Sequence, residues 1–164
     1  MRRTATVAVV FVAAVFLGVV LTGPTAGQTA SAPECSTVGY EQTDGVYEVT
    51  NVSQLQCIGN ETNGPGLDQD YVLVSDIDAS GTSEWNDGDG FEPIGTDSNR
   101  FNGTFDGANH TIADLRMDRT DEAVGLFGFT GTDAGIRNVT IRNANVTYGD
   151  FFYGGGILVG SIHP

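Results

Sequence analysis

Along most of the chain, hydrophobic and polar residues alternate in short stretches with the two-residue step of a strand. Residues 71–78 are the clearest case. Leu73, Ser75 and Ile77 fall on one face of a predicted strand, and Val72, Val74, Asp76 and Asp78 on the other. Val46-Tyr47-Glu48-Val49-Thr50 predicts a shorter strand. Further on, brief apolar runs are separated by glycine: Phe91-Glu92-Pro93-Ile94-Gly95, Phe101-Asn102-Gly103-Thr104-Phe105-Asp106-Gly107 and Gly125-Leu126-Phe127-Gly128. Beyond residue 32 no stretch keeps helical periodicity for three turns, so an all-β chain is expected. One short helix is predicted. Ser53, with Gln56 three positions on, has the form of a capping box, and Gly59-Asn60 ends the helix near Ile58. Leu55 and Ile58 form its buried side; a simple turn is the alternative.

The strand pattern repeats. Ile112, Leu115 and Met117 recur 24 residues later as Ile136, Val139 and Ile141. That shift is a typical coil length for a parallel β-helix. Stacking the segments would set Asp118 beside Arg142. Antiparallel hairpins are the rival, but they use loops of about two to five residues, and the connections here are far longer.

The N-terminal segment differs from the rest. Arg2 and Arg3 precede an apolar stretch at residues 5–21, followed by Thr22-Gly23-Pro24 and other small residues. This is the order of a secretory signal peptide, assigned to residues 1–32; an uncleaved membrane anchor is the alternative. Residues 33–70 then read as a lead-in and cap, and residues 71–164 as β-helix repeats that stop before completion.

Charge changes the picture further. After residue 32 there are five arginines, no lysine and 21 acids, a net charge of −16. Such a surface repels phosphate backbones and anionic headgroups, which excludes nucleic acid and any membrane role beyond the signal segment. It suits concentrated salt, where self-repulsion is screened, and points to a halophilic source. In an exported chain Cys35 and Cys57 are expected to form a disulfide. No nearby Cys or His offers a metal-binding alternative.

Candidate chemistry is sparse. Asp76, Asp78, Ser80 and Asp87 place oxygen atoms at positions 1, 3, 5 and 12 of a loop with Gly81 at position 6, close to calcium-loop spacing. The competing reading is a strand end with solvated acids. No other cofactor is indicated. Asp76 and Asp78 would also lie about 7 Å apart on one strand face, a separation glycosidases use, although pairs are unavoidable among so many acids. No serine sits in a nucleophile elbow, Gly154-Gly155-Gly156 lacks the lysine of a phosphate loop, and His110 reads as a turn residue. Asn51, Asn60, Asn102, Asn109, Asn138 and Asn145 each open an Asn-X-Ser/Thr sequon, so they are candidate glycosylation sites.

From residue 47 to 128 the chain resembles the glycine-rich surface repeat family named for the GLUG motif. The resemblance is carried by Val52-Ser53-Gln54-Leu55-Gln56, Tyr71-Val72-Leu73, Asp76-Ile77-Asp78 and Trp85-Asn86. It continues through Gly90-Phe91-Glu92-Pro93-Ile94-Gly95, Phe101 to Gly107, His110-Thr111-Ile112, Leu115 and Gly125-Leu126-Phe127-Gly128. The resemblance implies a right-handed parallel β-helix in an adhesin-like, secreted or cell-surface protein, with no catalytic signature. In that motif Gly125 and Gly128 would serve positive φ or close packing, and Leu126 and Phe127 the interior. A near-second motif follows at Gly156-Ile157-Leu158-Val159-Gly160, with Ile157 in the place of its first glycine. The chain then ends at Pro164, which suggests a truncated member whose open coil edge could self-associate. The expected function is a non-enzymatic surface, adhesion or scaffold role, with cell-surface glycans or surface-layer proteins as partners. A fragment of a polysaccharide-acting β-helix enzyme is the alternative.

Overall fold

The computed structural model describes residues 31–60, 64–120, 123–149 and 155–162. The apolar stretch at 5–21, and the signal-peptide reading with it, lies outside these residues. Among the described residues no helix is long and apolar enough to cross a membrane.

The described chain is all-β, with one short α-helix and a few 3-10 turns. The strands are β1 (Glu41–Thr43), β2 (Val46–Val49), β3 (Tyr71–Leu73), β4 (Ile77–Asp78), β5 (Thr104–Asp106) and β6 (Thr111–Ala113), then β7 (Arg116–Arg119), β8 (Phe127–Thr130), β9 (Gly135–Arg137), β10 (Thr140–Arg142), β11 (Asn145–Tyr148) and β12 (Val159–Ile162). They form four sheets, ordered β1-β2-β3-β5-β9, β10-β6-β4, β11-β7 and β12-β8. The first is mixed, because β1 and β2 are an antiparallel hairpin. Every other strand pair is parallel. Asp44-Gly45, both at positive φ, makes the hairpin turn. The polar lead-in therefore contains a strand that its alternation did not reveal.

The segment at 71–78 is not one strand. β3 and β4 belong to different sheets, and the chain turns between them at residues 74–76. The alternation survives the turn: Tyr71, Leu73 and Ile77 are buried and Val74 is exposed. The repeat is also corrected. Ile112 stands beside Ile141 and Met117 beside Val146, both 29 positions on, while Ile136 stands beside Phe105. Asp118 accordingly neighbours Thr147, and Arg142 neighbours Ala113. The 24-residue shift failed because the same i, i+3, i+5 spacing of apolar residues recurs at successive bends. Ile112-Leu115-Met117, Ile136-Val139-Ile141 and Ile141-Ala144-Val146 all show it. Apolar spacing alone cannot say which bend stacks on which.

The core lies between the sheets. Tyr71, Phe91, Phe101, Phe105 and Phe127 are fully buried, with Leu73, Ile94, Ile112, Leu115, Met117 and Leu126. Aromatic rings run through it in sequence, from Tyr40 through Tyr47, Tyr71 and Phe101 to Phe127, with Phe105 edge-on to Phe127 at 5.3 Å. Edge-to-face and offset rings of this kind add about 0.5–1.5 kcal/mol per pair beyond area burial.

Helix α1 (Val52–Gln56) follows β2. Its N-cap is Asn51 rather than Ser53: Asn51 Oδ1 accepts from Gln54 N–H at 2.9 Å. The capping motif begins two residues earlier than the Ser-X-X-Gln reading, because Asn is an equally good cap and Gln54 occupies its third position. Leu55 and Ile58 are buried as expected. Gln54 is itself buried and fully used, accepting from Thr50 N–H and Oγ1 and donating to Gly39 O at 2.6 Å. Cys57 ends the helix and is disulfide-bonded to Cys35, Cα to Cα 5.4 Å. The bridge ties the lead-in to the cap.

Candidate functional site

The outer face of β4, β6 and β10 carries Asp76, Asp78 and Arg142. An open groove of about 480 Å³ crosses it, lined by Asp76, Asp78, Thr111, Asp114, Arg142 and Asn143 among others. Ile77, Ile112 and Ile141 stand in register beneath, so the residues flanking each isoleucine must face outward.

Both carboxylates here accept backbone N–H bonds, Asp76 from a neighbouring strand and Asp78 from its own turn. Asp76 Oδ1 accepts the Thr111 N–H at 2.9 Å, and His110 Nδ1 lies 3.2 Å from the same oxygen. The Thr111 N–H, then His110, hold Asp76 below the ordinary carboxylate range. Asp78 is also lowered, by the N–H and then the hydroxyl of Ser80, in a local turn. A glycosidase acid requires a raised carboxyl, whereas both members of this pair are pushed down. His110 donates its own N–H to Gly107 O at 2.7 Å, which is the turn role expected of it.

Two acids that the sequence reading passed over do the same work. Asp70 accepts from both the N–H and the hydroxyl of Thr104, in the next strand of its sheet. Asp106 accepts from Ala108 N–H, Asn138 Nδ2 and Arg137 Nε, and is lowered first by the Ala108 N–H, then by Asn138, then by Arg137. Asp70, Asp76 and Asp106 thus each bridge from one strand to its parallel neighbour. The signal was available in principle: each Asp precedes or ends a strand, and a Thr or Asn lies 32 to 35 residues on. Without the correct register it could not be read.

Ser80 opens a 3-10 turn (Ser80–Glu84), and Asp87 lies in a second (Asn86–Gly88) at φ 58°. Among the described residues no three His, Cys, Asp or Glu side chains gather as a group that could hold a metal ion. Asp76, Asp78 and Asp87 are therefore not brought together as the loop spacing suggested.

The sequons divide by geometry. Asn51 caps α1 and donates Nδ2 to Thr50 Oγ1, Asn102 Nδ2 donates to Arg100 O, and Asn138 Nδ2 donates to Asp106. Asn51, Asn102, Asn109, Asn138 and Asn145 are all exposed, and only the side-chain amides of Asn109 and Asn145 among these five have no hydrogen-bond partner among the described residues. In the glycine-rich motif Leu126 and Phe127 are fully buried. A Cβ at Gly125 would lie 2.7 Å from Gly156 O, and one at Gly128 2.7 Å from Gly95 O. Neither has positive φ, so these glycines serve close packing alone. β12 pairs with β8 with Val159 beside Phe127, while Val124 is bridged to Gly155.

The chain is 46% identical over 108 residues to Halomucin of Haloquadratum walsbyi, a match covering 63% of this chain and 1% of that protein. It is 34% identical over 91 residues to a protein of Evansella cellulosilytica named as a Gly-rich membrane protein, covering 55% of this chain and 10% of that one. The chain therefore spans a small fraction of either relative. No family model matches the chain, so the GLUG resemblance rests on the residues themselves. No solved structure matches it.

Proposed function

We propose that this chain is a non-enzymatic structural module of a halophilic archaeal cell-surface protein, secreted or surface-held, and that its strands stack as the coils of a right-handed parallel β-helix. The observation that carries the reading is the 46% identity to Halomucin, whose name joins a halophile to a mucin. The net charge of −16 after residue 32 agrees with a high-salt exterior. Parallel pairing of strands 24 to 35 positions apart supports the coil reading. So does the use of surface carboxylates as ties between parallel strands. On this reading residues 1–32 direct export, 33–70 form the cap and 71–164 the coils. Surface glycans or surface-layer proteins are the partners, and no cofactor is needed.

The test is a fractionation. The tagged full chain, expressed in a halophilic host, should appear at the cell surface or in the medium. Recovery in the cytosol alone would overturn the reading. Degradation of an acidic polysaccharide by the purified protein, lost in Asp76→Asn, would replace it with the enzymatic alternative.

A further inference from the structure

Six sequons are more than a folded surface can present equally, and the hydrogen bonds separate them. N-linked transfer joins the side-chain nitrogen of Asn to the anomeric carbon of an oligosaccharide carried on a lipid phosphate. The anomeric C–O bond breaks, the lipid phosphate leaves with the bonding pair, and one amide proton passes to solvent. The reaction needs an amide that can leave the surface and a Ser or Thr hydroxyl two residues on.

We infer that Asn109 and Asn145 are the N-glycan acceptors of this chain, and that Asn51, Asn102 and Asn138 are not; the inference rests on the extracellular reading above. Asn145 lies on β11 with Val146 turned toward the core and Thr147 exposed on the same outer face as itself. Among the described residues its amide has no partner, and neither has the Thr147 hydroxyl. Asn109 sits at φ 67° in the 107–110 turn and is exposed; its backbone N–H donates to Asn138 O at 2.8 Å, while its side-chain amide has no partner among the described residues. Thr111, which completes its sequon, is fixed through its backbone N–H to Asp76, leaving the hydroxyl unused.

The excluded three are held. Asn102 donates to Arg100 O at 3.2 Å, its Oδ1 packs over Gly131, and the Thr104 hydroxyl of its sequon is given to Asp70. Asn138 donates to Asp106, which also holds Arg137. Asn51 caps α1 through Oδ1 and donates Nδ2 to Thr50. In each of these the side-chain nitrogen that would receive the glycan is already hydrogen-bonded on the folded surface and must leave that partner to react. The sequon of Asn60 includes residues outside the described set, so it is left unassigned.

The experiment is peptide mass spectrometry on the tagged full chain expressed in a halophilic host that N-glycosylates exported proteins, read for surface, medium and cytosolic fractions separately. Peptides bearing Asn109 and Asn145 from the exported chain should carry oligosaccharide mass, and those bearing Asn51, Asn102 and Asn138 should not. Asn145→Gln and Thr147→Val should each remove one glycan. Asn109→Gln strains a left-handed residue, so Thr111→Val serves as the second probe there. Asn138→Gln should leave the intact glycan mass unchanged. Exported chain with bare Asn109 and Asn145, or with glycan on Asn102 or Asn138, overturns the inference and leaves the extracellular reading standing. Chain confined to the cytosol and unmodified overturns both.

Discussion

At the scale of single residues the acids decide more than their number suggests. Asp76, Asp78 and Asp106 bind fewer protons in the folded state than in the unfolded chain, because each carboxylate accepts backbone N–H bonds. Their contribution is present above the ordinary carboxylate range and is lost as pH falls through the lowered folded values. Thermal midpoints measured from neutral to acid pH in concentrated salt should fall on the acid side, and Asp76→Asn with Asp106→Asn should flatten that fall. An unchanged acid limb in the double variant would refute the role given to these ties. Glycines make a second residue-scale contrast. A Cβ at Gly103 would stand 1.8 Å from Gln69 O, backbone that cannot step aside, whereas one at Gly81 meets nothing within 4 Å. Gly103→Ala should destabilise at the upper end of the roughly 1–3 kcal/mol typical of overpacking, and Gly81→Ala by no more than about 0.5 kcal/mol. Urea midpoints of the two variants check the difference.

Elements are held by a few buried side chains and one covalent tie. Gln54 illustrates the first: Gln54→Ala strands Thr50 N–H and Gly39 O at the cap, so a loss of about 1–3 kcal/mol is expected for each group left without a partner. Cys35–Cys57 illustrates the second. Opening this loop of 22 residues should lower stability by about 3 kcal/mol in the chain-entropy account. Calorimetry with and without reductant reads it, and Cys35→Ser with Cys57→Ser should reproduce the reduced protein. These elements also show what was legible in the sequence. The strand at Val46–Val49 announced itself, because alternation is a local consequence of a half-buried backbone. The turn that splits β3 from β4 was hidden, because alternation continues across it and neither Gly nor Pro marks residues 74–76. The stacking partner of each strand was hidden too. Register is a property of two distant segments, and here the apolar spacing fits more than one. The strand-to-strand ties of Asp70, Asp76 and Asp106 depend on that register, so they were hidden with it.

For the whole molecule the governing quantity is charge. Twenty-one acids face five arginines after residue 32, and several arginines are already committed: Arg137 to Asp106, Arg116 to Asp118 and Arg100 to Asp97. Exposed pairs of this kind are worth about 0–1 kcal/mol each, too little to offset the repulsion among the remaining acids. Screening does more. The Debye length falls from about 10 Å at 0.1 M salt to about 3 Å at 1 M, below the spacing of most surface charges. The melting temperature should therefore rise steeply with potassium chloride across that range. Salt also strengthens apolar burial, so the rise alone does not identify its cause. A variant separates the two. Asp44, Asp87, Asp89 and Asp133 are exposed, and their carboxylates tie no strands together. Changing all four to Asn leaves the core and the carboxylate ties intact while removing repulsion. Repulsion predicts that this variant melts higher than the parent at low salt and that the two converge at high salt. If salt acted through apolar burial alone, the curves would run parallel, and equal melting temperatures at low salt would remove charge as the cause of the salt dependence.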